Sequence, residues 1–329
     1  MEKKRIFLLD NLKVLLVFLV VVGHLYGLYI KQSPIIDVFY IFVYLFHMPL
    51  FVFVSGYLSK NIQKPLWSLI STLLIPYLIF SVIWSIINSY FSGDLSFSIL
   101  TPYAYLWYLV SLFTWKALVK YLIRIPYILP ISFVIGLFAG FLPLDRFLSL
   151  SRTLTFLPFF LLGFYCQERH IDKIKRIPKS FAGIVLTIGF ILSIAFVNLD
   201  INEEILWLIG PYAKYGITNF EGVLFRVLFY IVCITMSLAV VRLVSNKEYS
   251  ISIIGRNTMV IYLGHMFARI VLAKLFPTFG ESSIANIIIL ISPIVVFLIL
   301  SMPFLTKIYD YIFNNLLSLS RYKKIMPNE

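Results

Sequence analysis

Charge is scarce in this chain. Asp, Glu, Lys and Arg make up 13% of 329 residues, about half of the roughly 25% carried by an ordinary soluble domain. Acidic residues are the rarer sign, 15 against 28 basic ones. So little polar surface excludes a soluble enzyme. The two cysteines, Cys166 and Cys233, lie far apart inside apolar runs, so neither a disulfide framework nor a thiolate metal site is implied. No metal is expected. No triplet or heptad repeat is present, which excludes collagen and coiled coil, and the high hydrophobicity excludes disorder.

What fills the chain instead is apolar, 60% of it. A helix needs about 20 mostly apolar residues to cross a hydrocarbon layer of roughly 30 Å. Ten such segments are predicted, near 6–30, 36–58, 66–92, 103–121, 127–144, 152–167, 180–198, 222–244, 255–275 and 283–306. The first follows Lys3, Lys4 and Arg5 as a signal peptide would, but it is too long, lacks a small-residue cleavage site and is followed by further spans. The expected fold is an all-α polytopic membrane protein of about ten helices, one integral-membrane domain over residues 1–329.

The basic residues give an orientation. With the N-terminus inside, the inner segments hold Lys3, Lys4, Arg5, then Lys60 and Lys64, then Lys116, Lys120 and Arg124. The 168–179 loop adds Arg169, Lys173, Lys175, Arg176 and Lys179. Arg242, Lys247, Arg256, Lys307, Arg321, Lys323 and Lys324 complete the set. Asp37, Asp94, Asp145, Asp200, Glu203, Glu204, Glu221 and Glu281 fall outside. This bias places both termini in the cytoplasm. The net charge of +13 is then topological, and no nucleic-acid partner is expected. The one long outer loop, near 199–221, contains a short apolar piece that dips back or lies on the surface.

Ionisable residues at membrane depth cost roughly 2.5–3.5 kcal/mol each at a helix centre, so each calls for a reason. The first helix carries three, Asp10, Lys13 and His24. At 100° and 1.5 Å per residue, Lys13 and His24 lie about 20° apart around the helix and about 16 Å apart along it. Asp10 lies about 40° to the other side of His24 and three residues before Lys13, within pairing reach. One stripe of the helix is therefore polar from its inner mouth past mid-membrane. A snorkelling Asp10–Lys13 pair with a helix-packing His24 is the plainer alternative. His47, beside Pro49, Ser55 and Gly56, and His265 are also mid-span; each is a packing residue or part of a site. Arg152, Arg226 and Arg269 sit near outer helix ends, as headgroup anchors or as holders of an anionic acceptor.

Several segments carry a family resemblance together and in order: RIFLLDNLKVLLVFLVVVGH, FHMPLFVFVSGYLSK, LLIPYLIF, LWYLVSLFTWKAL, SRTLTFLPFFLLGFY and IGRNTMVIYLGH. Over residues 5–265 the chain resembles the membrane-bound acyltransferase-3 family, in its branch of fucose 4-O-acetylase-like and capsular polysaccharide O-acetyltransferases. The resemblance implies about ten helices in a bacterial plasma membrane. It also implies transfer of an acetyl group from cytoplasmic acetyl-CoA to a sugar hydroxyl of a polysaccharide or its lipid-linked precursor. The family's marker, a basic residue, ten others and an essential histidine, falls on Lys13 and His24; many members have arginine where this chain has Lys13. SGY, with Ser55, and Arg152 also match the branch.

On that reading His24 is the general base or the nucleophile, Asp10 orients Lys13, and Lys13 faces the donor. Lys60, Lys64 and Lys116 are ordinary positive-inside residues or attract coenzyme A phosphates. His47, Ser55, Arg152 and His265 are the candidate acceptor contacts. Two rivals stand beside the enzyme. A transporter or flippase of a lipid-linked glycan would show paired helical halves, and none are visible. A helper subunit without activity leaves the polar stripe unexplained.

Overall fold

The computed structural model describes residues 6–93 and 97–322, apart from the side chains of Arg256 and residues 314–322. Lys3, Lys4, Arg5, Asp94, Lys323 and Lys324 lie outside the described residues, as do the side chains of Arg256 and Arg321. The described chain is helical without strands. In a bilayer every backbone N–H and C=O must be satisfied internally, and a helix does this within one segment. The helices are α1 (Phe7–Tyr26), α2 (Pro34–Tyr44), α3 (His47–Tyr57), α4 (Leu66–Leu69), α5 (Ile75–Ser92), α6 (Trp107–Leu122) and α7 (Ile128–Phe138). They continue with α8 (Leu150–Tyr165), α9 (Glu168–Arg176), α10 (Lys179–Asn198), α11 (Asn219–Leu243), α12 (Thr258–Leu275), α13 (Ser283–Leu300) and α14 (Pro303–Tyr322).

All ten predicted segments are helical, and eight stretches are long and apolar enough to span a membrane. The two shorter ones are α6, of 16 residues, and Ile128–Phe141, where α7 runs into a 3-10 turn. Two elements appear that the hydropathy pattern does not mark: α9 in the basic loop and α14 in the tail. A π-helical turn, Ile70–Leu74, joins α4 to α5. The second span is broken, but ahead of Pro49 and not at it. Leu45 and Phe46 form a turn and α3 restarts at His47. Pro49 then falls in the first turn of α3, where its missing N–H leaves no intrahelical bond unmade.

The chain forms two compact units, Met1–Val43 with Val244–Glu329, and Tyr44–Leu243. In the first, α1 is central and packs on α12, α13 and the 3-10 segment Ser250–Arg256. In the second, α8 is central, against α3, α6 and α7, while α10 pairs with α11. Burial separates core from rim: 67% of the α1 span is buried, against 17% of the α10 span. α10 turns Phe181, Ile184, Ile188 and Ile191 outward, as a lipid-facing helix does. Beside α11, Lys175 of α9 donates to the Arg242 carbonyl at 3.3 Å. Burial, then the Arg242 and Lys179 charges, hold its amine down at about 8.

Candidate functional site

The N-terminal end of the polar stripe is built on the first turns of α1. Ile6 provides no side-chain cap, and Asn246 supplies one from far along the sequence, its Oδ1 accepting from the Leu8 N–H at 3.0 Å. Asn11 ties the same region down. Its amide donates to the Ser245 and Lys247 carbonyls, both at 2.9 Å, and its oxygen accepts from the Ser252 hydroxyl at 2.5 Å. Gly255 permits the close approach, since a Cβ there would collide with the Asp10 carbonyl. Asp10 is buried in the first turn of α1, where the helix dipole favours a carboxylate. Its Oδ1 meets Lys13 Nζ at 3.1 Å. The predicted pair is therefore formed.

At the other end of the stripe the half-buried His24 faces a residue the sequence left unconnected to it. The His265 ring lies with its centroid 5.0 Å from that of His24, tilted by 43°. His265 has no solvent exposure, and its Nδ1 is 3.2 Å from the Ile261 carbonyl one turn back on α12. A carbonyl only accepts, so Nδ1 carries the hydrogen and, in the neutral ring, Nε2 carries the lone pair. One turn further, Arg269 Nε donates to the His24 carbonyl at 3.2 Å. That carbonyl is among the last of α1, which have no intrahelical partner, and a cation there also suits the dipole. Arg269 thus holds the backbone of His24, while His265, four residues before it on the same helical face, stands against the His24 ring. Tyr26 and Tyr29 fix this end of α1 further, donating to the Leu290 and Phe276 carbonyls at 3.0 and 2.9 Å.

The remaining predicted residues lie in the second unit. His47 is buried at the start of α3, its ring 4.9 Å from that of Tyr44. Ser55 donates to the Phe51 carbonyl at 2.9 Å and shares a 2.5 Å hydrogen bond with the Tyr108 hydroxyl of α6. Gly56, next to it, lies on the Phe160 backbone, and Gly163 of α8 lies on the Phe53 carbonyl. The SGY motif therefore joins three helices: serine bonds α6 and glycine admits α8. Lys60 donates to the Cys166 carbonyl and lies 4.0 Å from the Tyr57 ring centroid. Lys64 and Lys116 line a cleft of about 20 Å³ with Ser59 and Asn61, room for about one water.

Arg152 and Arg226 of this unit hold the long loop. Its apolar piece packs onto the unit through 3-10 turns Glu203–Trp207 and Tyr212–Tyr215, with Leu206, Leu208, Ile209 and Tyr212 buried. Arg152 Nε donates to the Trp207 carbonyl at 2.8 Å and its guanidinium stacks 5.0 Å from Trp107, while Ser151 donates to the Leu208 carbonyl at 2.9 Å. Arg226 is 1% exposed, which removes it from any headgroup role. It donates to the Gly136 carbonyl at 2.8 Å and lies 4.7 Å from the Tyr212 ring. Tyr212 fills a slot between Gly140 and Gly222, where a Cβ on either would strike its ring, and donates to the Leu137 carbonyl at 2.8 Å. Only the apolar character of the piece was readable beforehand; its glycine slot joins residues some 70 positions apart.

Among the described residues no group of three His, Cys, Asp or Glu side chains gathers to hold a metal ion. No curated protein and no solved structure matches the chain. A family model does: the acyltransferase domain of the acyltransferase-3 family matches residues 6–306. That range takes in the Asp10–Lys13 pair, His24, His265 and every span. A membrane-embedded bundle with an accessible histidine against a buried one, matched over nearly its whole length, belongs to the acyltransferase-3 family.

Proposed function

We propose that this chain transfers an acetyl group from cytoplasmic acetyl-CoA to a hydroxyl of a sugar, in a cell-surface or capsular polysaccharide or its lipid-linked precursor, at a bacterial plasma membrane. The observation that carries this reading is the histidine pair, His24 half-buried and His265 fully buried with centroids 5.0 Å apart. His24 takes the proton of the acceptor hydroxyl, and the hydroxyl oxygen attacks the thioester carbonyl. The tetrahedral intermediate collapses by breaking the C–S bond, and the imidazolium of His24 returns its proton to the departing thiolate. The products are the sugar ester and free coenzyme A. His24 as nucleophile, carrying the acetyl group between donor and acceptor, remains the second form of the same chemistry.

His265, its Nδ1 held by the Ile261 carbonyl, positions His24. Lys13 neutralises a donor phosphate as a point charge, and Asp10 keeps its ammonium in place. Lys60, Lys64 and Lys116 draw the phosphates of coenzyme A by attraction. Of the acceptor candidates, Ser55 and Arg152 act through the helices and the outer segment they tie, and His47 through the start of α3. Family membership lends no support to a transporter or flippase. The test is a proton NMR spectrum of the host's surface polysaccharide with and without the gene. Loss of one O-acetyl signal on deletion is expected; an unchanged spectrum overturns the reading.

A further inference from the structure

Arg152, Arg226 and Arg269 differ in what their guanidinium groups touch. Arg152 gives Nε to the Trp207 carbonyl, a terminal nitrogen to the Ala104 carbonyl and its flat face to Trp107. Arg226 is buried against Tyr212 and the Gly136 carbonyl. Arg269 commits Nε, which donates to the His24 carbonyl at 3.2 Å. Among the described residues no carboxylate and no further carbonyl takes its two terminal nitrogens. The side chain is only partly buried, and these nitrogens, unlike the Nε of Arg226, are not sealed in the packing without a partner. A guanidinium carries five N–H donors in a fixed fork and stays protonated. One donor is spent on His24; the other four are left, pinned beside the residue assigned as base.

The acyl-transfer chemistry has one charge with no group assigned to it. As the hydroxyl oxygen attacks the thioester carbon, the carbonyl π pair moves onto its own oxygen while His24 holds the proton. A preorganised donor aimed at that oxyanion is worth most where water is excluded. If His24 is instead the nucleophile, an oxyanion forms twice, once on each transfer. Lys13 cannot serve it, being about 16 Å from His24 along α1 and paired with Asp10 at 3.1 Å. Arg269 is placed to do so. It follows His265 by one turn of α12, so one helix supplies both the ring against His24 and the guanidinium on its backbone.

We propose that Arg269 is the oxyanion donor of this reaction, its terminal N–H groups taking the charged oxygen of the tetrahedral intermediate while Nε fixes the guanidinium to the His24 backbone. The assignment rests on the acyl-transfer function proposed above. A standing anion at the same fork, such as an acceptor carboxylate or a lipid phosphate, suits the site less well. An anion held beside an imidazole favours its protonated form and takes the base out of action before the reaction starts. The oxyanion appears only as the proton is taken, and it is gone once the carbonyl re-forms and the C–S bond breaks.

The experiment compares full-length wild type with Arg269→Gln, Arg269→Lys and, as control, Lys274→Gln, an exposed cation further along α12. Each is purified in detergent, so that both faces are open to substrate. Acetyl-CoA is varied, and so is the acceptor, the surface polysaccharide isolated from the gene-deleted host; initial rates give kcat and both KM values, and the thermal midpoint is taken on the same preparation. Glutamine keeps an N–H for the His24 carbonyl and removes the charge; lysine keeps the charge and loses the fork. Arg269→Gln is expected to lose about 10²–10³-fold in kcat with both KM values and the midpoint unchanged, Arg269→Lys to fall between it and wild type, and Lys274→Gln to match wild type. A wild-type kcat in Arg269→Gln, or in Arg269→Lys should the glutamine variant misfold, overturns the assignment. A raised acceptor KM at unchanged kcat gives the fork to a standing anion, and a loss of activity matched by a lower midpoint reduces Arg269 to a pin between α1 and α12; either result overturns it. A wild type without transfer overturns the acyl-transfer function itself, whereas an active wild type beside an equally active Arg269→Gln overturns this assignment alone.

Discussion

Replacing Gly163 by alanine should drive α3 and α8 apart. A Cβ at Gly163 lands on the Phe53 carbonyl oxygen, about 1 Å inside the 3.0 Å that Cβ atoms keep from other heavy atoms. The obstacle is backbone and cannot rotate away. Gly56 makes the mirror-image approach to Phe160 from the α3 side, so the two helices touch through small residues in the way membrane helices associate. A gap of 0.5–1 Å already forfeits a quarter to a half of a dispersion contact, and overpacking generally costs about 1–3 kcal/mol. With backbone on the receiving side, a loss of about 2–3 kcal/mol is expected, roughly 4–12 °C in midpoint on the scaling of soluble domains. Gly183, on α10, is the internal control: nothing lies within 4 Å of its Cβ position, so alanine there should gain about 0.5–1 kcal/mol from helix propensity. The assay is the thermal midpoint of purified protein followed by fluorescence-detected size exclusion. A Gly163→Ala midpoint at or above wild type, or equal to that of Gly183→Ala, refutes the packing argument.

Three further outcomes follow from the same geometry. In a cysteine-free background, Asp200→Cys should react with an impermeant thiol reagent applied outside while Lys173→Cys stays protected; equal labelling contradicts the orientation read from the basic loops. Lys13→Arg should retain most acyl transfer and Lys13→Gln should lose it, chiefly through a raised requirement for acetyl-CoA in vesicles; an active Lys13→Gln reduces Lys13 to an interfacial anchor. Tyr212→Phe removes the bond to the Leu137 carbonyl at a cost of about 1–3 kcal/mol for the orphaned acceptor. Limited proteolysis near 199–218 should quicken accordingly, and unchanged cleavage means that the ring alone holds the segment.

What the sequence made legible is what lies along one helix. The angles between Asp10, Lys13 and His24 follow from 100° per residue, and the structure forms the Asp10–Lys13 pair at 3.1 Å. The contact of His24 with His265 was not legible, because it joins helices 241 positions apart and neither residue's neighbours specify a partner. Arg269 shows the same limit: its position at an outer helix end suggested a headgroup or an anion, whereas it bonds the His24 carbonyl, a group that sequence does not display. Pro49 shows a different one. Proline in a helical run suggests a kink at that residue, but the break belongs to the Leu45–Phe46 turn before it, since proline is tolerated in a first turn.

The most direct test of the account is whether His24 carries the chemistry. A gene-deleted host is complemented with wild type, His24→Ala or His265→Ala at equal membrane levels, and the O-acetyl signal of its surface polysaccharide is measured by proton NMR. Wild type should restore the signal, His265→Ala should restore part of it, and His24→Ala should restore none. Full restoration by His24→Ala would contradict the account.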